Sequence, residues 1–353
     1  MENKFKILFI DDELLGENSR KQLVESLNRD PRFEVEAHHP VNILKIINEG
    51  SLDDKYTLII VDYKLNGNAN ELGQFCVNNG YSFTSIFKEK FPGTPVYLIS
   101  QILEDDISLG EHYDKMLSHH ILTKEIGRNL LASDCADYSA LKDRVFYLGS
   151  AEDIADFLSV PIDSVEDFKK SLPLEFRDGL TNASEINTAE VIDKEASHIR
   201  FAKWINSYLL TKSGPLINLD ELAVLFGVEL GYFKNEVLER FKKEMKVFEY
   251  NGVFASSNEK LWWTQSVFNY VVNLLGLEAT STPWEKIPQH LGIDNSHWAK
   301  CCVCKDYYPE CIAYDSDDKK LSVKLPAHWR CTTVSESYDI PAGFSPIFIL
   351  DEE

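Results

Sequence analysis

From residue 5 the chain alternates short apolar runs with longer stretches whose apolar residues recur at helical spacing. FKILFI, FEVEA, YTLIIV and PVYLIS, at Phe5–Ile10, Phe33–Ala37, Tyr56–Val61 and Pro95–Ser100, predict strands, and His120–Thr123 reads as a fifth. Between them Leu15–Leu27, Val41–Asn48, Tyr81–Phe91 and Glu104–Leu117 predict helices. Strand and helix in regular alternation is the pattern of a parallel sheet covered by helices, so residues 1–130 are expected to form one doubly wound, five-stranded α/β domain.

Beyond residue 130 the pattern changes. Residues 131–200 carry acidic, short-period segments such as SAEDIADFLSVPIDSVEDFKKSLP, which predict brief helices broken at Pro161 and Pro173 in a helical connector. A mainly helical domain is expected over 201–290, where Ile199–Leu210, Leu219–Tyr250 and Trp262–Leu277 have the helical period. Asn218 with Glu221 three residues on has the form of a capping box. NLDELAVLFGVELGYFKNEVLERFKK also has the outline of a degenerate helix-turn-helix turning at Gly227. Residues 291–353 predict a small β-rich tail containing cysteines, with CIAYDSDDKKLSVKL as a hairpin closed by an acidic turn.

Composition narrows the partners. No apolar run reaches the ~18–20 residues of a membrane helix, and the acidic pair after FKILFI marks a first strand rather than a signal peptide. Seven cysteines, an odd number without an export signal, suggest a reducing cytoplasm. The formal net charge is −21, from 14 basic and 21 acidic residues in 1–130 and 22 and 36 in the remainder. Both parts are acidic, which disfavours DNA and anionic membranes and leaves proteins as the expected partners.

Ligands of a doubly wound sheet bind outside the carboxyl ends of its strands, so the residues ending the strands carry the information. They are polar here: Asp11 and Asp12 after the first strand, Asp62 after the third, Ser100 after the fourth and Lys124 after the fifth. Three converging carboxylates repel one another, and a hard cation such as magnesium relieves that repulsion. A lysine and a small hydroxyl beside a carboxylate nucleophile complete a set suited to phosphoryl transfer onto aspartate.

In these stretches the chain resembles the response-regulator receiver family of two-component signalling. ILFIDDE, LIIVDYKL, NGYSFTSIFKEKFPGTPVYLIS and ILTKE carry the resemblance, which covers about residues 4–130. It implies a flavodoxin-like fold with Asp62 as phosphoacceptor and Asp11, Asp12 and Asp62 as magnesium ligands, completed by the Lys64 backbone carbonyl. Ser100 would be the switch hydroxyl and Lys124 the phosphate-binding lysine. A histidine kinase or phosphotransfer protein would supply the phosphoryl group, and a protein would receive the output. The only catalysis implied is the domain's own phosphorylation and dephosphorylation. A phosphate sink that buffers a kinase and a DNA-binding transcription regulator are the alternatives.

The chain departs from the family in three places. Glu125 stands where a proline is usual, Ile121 where an aromatic is usual, and about ten extra residues, rich in asparagine and glycine, lie between Asp62 and Gly80. In the tail, Cys301-x-x-Cys304 and His328-x-x-Cys331 have a spacing compatible with structural zinc, with Cys302 and Cys311 as spare candidates.

Overall fold

Five parallel strands in the order β2-β1-β3-β4-β5 organise the N-terminal part of the computed structural model: β1 Phe5–Ile10, β2 Phe33–His38, β3 Leu58–Asp62, β4 Val96–Ser100 and β5 Lys115–Ser118. This is the flavodoxin-like doubly wound order, whose direction of winding reverses between β1 and β3. The described residues are 4–14, 19–50, 55–65, 80–100, 113–180, 196–212, 214–276, 287–302, 304–307, 311–315 and 324–328. The extended loop between Asp62 and Gly80, most of the expected Glu104–Leu117 helix, and Cys331 lie outside them.

The central strands form where they do because their residues are apolar on both faces, whereas β2 alternates. β3 and β4 are buried at every position, as a strand covered by helices on both sides requires. On one face Leu8, Ile10, Ile59, Val61, Val96 and Leu98 meet Ile43 and Ile47 of α2 (Pro40–Asn48) and Phe83 and Phe87 of α3 (Gly80–Lys90). Helix α1 (Ser19–Arg29) buries Arg20, Leu23 and Leu27, a stripe at i, i+3 and i+7.

The fifth strand differs from expectation. Residues 119–122 form a short helix, α4 (His119–Leu122), and the strand is Lys115–Ser118, paired with Tyr97–Ser100. The helix that follows, α5 (Glu125–Arg144), is 20 residues long and continues beyond residue 130. Two units are distinguished: the first takes in 1–149 and 180–203, the second 150–179 and 204–353. In the first unit the later segment is tied down by His198, whose Nε2 lies 3.1 Å from the Gly93 carbonyl oxygen.

The second unit is mainly helical, as its period predicted. α6 (Ala151–Phe157) and α7 (Val165–Ser171) stand either side of Pro161 and end before Pro173; α8 (Ser197–Trp204) belongs, but for Trp204, to the first unit, and α9 (Leu219–Leu225) follows it in the chain. The capping box is present: Asn218 Oδ1 accepts from the Glu221 amide at 3.0 Å, and Glu221 Oε2 accepts from the Asn218 amide at 2.8 Å. Gly227, at φ +67°, makes the left-handed turn into a second helical run, and Phe226 packs against Phe233 across it. We expect Asn218→Ala to lower the stability of this unit by about 1 kcal/mol through loss of the cap, read as a shift in its thermal unfolding. Two short strands, β6 (Leu216–Ile217) and β7 (Trp262–Trp263), pair antiparallel in the same unit. The expected tail hairpin is present as β8 (Cys311–Asp315) antiparallel to β9 (Lys324–His328). No helix among the described residues is long and apolar enough to cross a membrane.

Candidate phosphoacceptor site

β1 delivers Asp11 to the carboxyl edge of the sheet directly after its last buried residue, and β3 delivers Asp62 as its own last residue. The two strands are neighbours, so the two carboxylates come together at the point where the winding reverses. Asp12 opens the short turn Asp12–Leu14 that follows. One oxygen from each of Asp11, Asp12 and Asp62 lies within 4.8 Å of the others. Asp11 is fully buried and Asp62 is 2% exposed.

The turn after β1 is locally determined. Asp11 Oδ1 accepts a hydrogen bond from the Glu13 amide at 2.7 Å, the side-chain turn that aspartate favours. Its other oxygen, Oδ2, and Asp12 Oδ1 are buried and receive no hydrogen bond among the described residues. Buried carboxylate oxygens without a hydrogen bond, gathered in one cluster, suit a hard cation, so the donor set fits magnesium.

Burial governs the charge state. Asp62 is pushed up from 3.8 to about 7, chiefly by burial and next by the Asp11 charge, against the pull of Arg20. Asp11 is pushed up to about 6, again chiefly by burial, with the Glu13 amide and Arg20 opposing. Two carboxylates this close titrate as a pair.

A cation already lies among them. Arg20 is 4% exposed, its Nη2 donates to Asp62 Oδ1 at 2.6 Å, and its Nε is 3.2 Å from Asp11 Oδ2 and 3.9 Å from Glu13 Oε2. The sequence signal was the helical stripe itself, since a charged residue at the first of three buried positions on α1 needs a partner inside. The end of β5 contributes His119, half-buried, next in the chain after Ser118. Burial holds its imidazole below the usual range, with the Arg20 charge adding to the effect and a hydrogen bond to the Ser19 backbone opposing it.

Ser100 ends β4, is buried, and stands in register with Ser118, one position beyond the Ile99 that pairs with Asp62. Lys64 lies on the exposed segment leaving β3. Lys124 is placed otherwise than expected: instead of ending a strand it precedes α5 as its exposed N-cap residue, six positions after β5 ends. Gly80 carries a role that no strand-end pattern signals. It opens α3 against the end of β3, its amide donating to the Tyr63 carbonyl at 2.8 Å, and a Cβ there would fall 1.9 Å from the Asp62 carbonyl oxygen.

The tail cysteines occupy differing surroundings, with Cys301 buried, Cys302 half-buried and Cys304 exposed, while His328 stands opposite Cys311 in the hairpin register. Among the described residues the aspartate trio is the ligand group that gathers.

No family model matches this chain, and no curated protein does. Among solved structures there is a likeness to the RcsB response regulator of Salmonella typhimurium, a structure concerned with that protein's conformational dynamism for DNA interaction. Identity is 14%, coverage is 48% of this chain and 90% of that chain, and the TM-score is 0.28. So loose a likeness carries no argument.

Proposed function

We propose that the first unit is a receiver that accepts a phosphoryl group on Asp62 from a histidine kinase or phosphotransfer protein and passes the signal to a protein partner. The observation that carries this reading is the buried Asp62 at the winding reversal, within 4.8 Å of two further carboxylates.

In the reaction an Asp62 carboxylate oxygen attacks phosphorus, the bond from phosphorus to the donor breaks, and the donor leaves with the electron pair. Asp62 must therefore be ionised, which Arg20 favours and burial opposes. Magnesium, held by Asp11, Asp12 and Asp62 with the Lys64 carbonyl, would offset the carboxylate repulsion and the charge on the phosphoryl oxygens. The Ser100 hydroxyl, one position beyond the Ile99 that pairs with Asp62, would hydrogen-bond a phosphoryl oxygen. Lys124, at the start of α5, would supply positive charge by reaching back along its flexible stem. The net charge of −21 favours a protein over DNA as the receiver of the output.

The full chain, given magnesium and acetyl phosphate, is expected to gain an acid-stable, base-labile label that Asp62→Asn lacks. Labelling of that variant at the wild-type level would remove the assignment. Partner affinity measured with and without beryllofluoride separates a signalling receiver, in which it changes, from a phosphate sink, in which it does not.

A further inference from the structure

Arg20 does more in this cluster than favour the ionised form of Asp62. Its guanidinium bridges two of the three carboxylates, at 2.6 Å from Asp62 Oδ1 and 3.2 Å from Asp11 Oδ2, and it is itself almost wholly buried. It comes from the buried stripe of α1. The arrangement is thus built from three elements, β1, β3 and α1.

We propose that Arg20 is a tethered counter-ion of the carboxylate cluster, which a divalent cation must expel before it can bind. The inference rests on the reading of the cluster as the receiver's magnesium site. Metal and guanidinium seek the same two carboxylates. A singly and a doubly charged cation held a few ångströms apart in a buried site repel strongly, and a small hard ion demands its oxygens in its own near-octahedral geometry. The two occupants therefore exclude one another, and the metal-free and metal-bound forms are two positions of the Arg20 side chain.

The metal-free form is the more stable for this, because the tethered charge relieves carboxylate repulsion that would otherwise be uncompensated. The same relief is lost when the metal enters, so affinity for the metal is lowered by whatever Arg20 contributes. Arg20 then sets the magnesium level at which Asp62 becomes reactive.

The test measures metal binding by the full chain, by calorimetry with magnesium and by the loss of the free manganese signal in electron paramagnetic resonance. Arg20→Gln is expected to bind either ion at least about tenfold more tightly than wild type, an effect of the size expected for a buried charge contact. Arg20→Lys, which keeps the charge and loses the fork, should fall between. Metal should also raise the melting temperature of Arg20→Gln by more than that of wild type. Equal or weaker binding by Arg20→Gln overturns the proposal, and a purely structural arginine gives that result.

If Arg20→Gln does not fold without metal, the wild-type protein decides. The Nε–H resonance of the buried, ion-paired Arg20 should be visible in nitrogen-15 spectra without metal and should shift or vanish as magnesium saturates. A resonance that saturating magnesium leaves in place overturns the exchange. Acetyl phosphate labelling is read separately: absence of label on Asp62, with the competition intact, removes the phosphoacceptor reading and leaves Arg20 as the cation that a metal displaces.

Discussion

Asp62→Asn is expected to stabilise the metal-free protein at pH 8 and to do so little at pH 4. The sign follows from burial. Asp62 has its affinity for protons raised on folding, from 3.8 to about 7, so between these values the folded state holds a proton that the unfolded state has released. Stability contributed by the protonated, neutral form is complete below about pH 3.8 and falls as pH rises towards 7. Each tenfold difference in proton affinity between the folded and unfolded states corresponds to about 1.4 kcal/mol. Because Asp11 shares the charge and titrates with it, we expect a gain on the order of 2 kcal/mol from the substitution at pH 8. Arg20 already tempers the rise, and asparagine can still accept its hydrogen bond. The check is thermal or urea unfolding of both proteins without metal across this pH range. A difference that does not grow with pH would mean that the Asp62 carboxyl is not held in the buried, charge-crowded setting described.

Gly80→Ala is expected to cost both stability and labelling. A Cβ at Gly80 would lie 1.9 Å from the Asp62 carbonyl oxygen, 2.8 Å from its carbonyl carbon and 3.2 Å from the Tyr63 Cα, all backbone atoms that cannot rotate aside. Either α3 must retreat or the end of β3 must bend. Overpacking of this kind costs about 1–3 kcal/mol, and we expect the upper part of that range. The displacement falls on Asp62, the proposed phosphoacceptor, and about 1 Å of misplacement of a reacting group costs about a hundredfold in rate. Gly214→Ala is the control, since a Cβ there meets nothing within 4 Å. Unfolding curves and acetyl phosphate labelling rates read the two effects, and a Gly80→Ala protein equal to the Gly214→Ala protein in both would show that α3 does not press on Asp62.

The first four strands were legible because FKILFI, LIIVD and VYLIS are apolar on both faces and FEVEA alternates, patterns that tertiary contacts reinforce. The fifth was not. KMLS is four residues at the sheet edge, half-buried throughout and bearing a lysine, whereas HHIL beyond it has the more strand-like look but closes into helix. The expected place of Lys124 at a strand end depended on HHIL being that strand, so it went with it.

The three aspartates were legible for a different reason: strand ends in a doubly wound sheet converge, so register alone brings them together. For Arg20 the helical stripe of α1 signals a buried charge but not its partners, which only the reach across to β1 and β3 reveals, and Gly80 is revealed only by its press on the backbone of β3. In the second unit the capping box of Asn218 and Glu221 was readable because both of its hydrogen bonds lie within four residues. The extent of α5 was not, since nothing in its sequence marks where the sheet stops needing it.

The most direct measurement is chemical mapping of the modified residue. After acetyl phosphate and magnesium treatment of the full chain, borohydride reduction converts an aspartyl phosphate to homoserine, which peptide mass spectrometry locates. Homoserine at position 62, absent when magnesium is withheld, is the expected result; an unmodified Asp62 with label on another residue would contradict the assignment of this site.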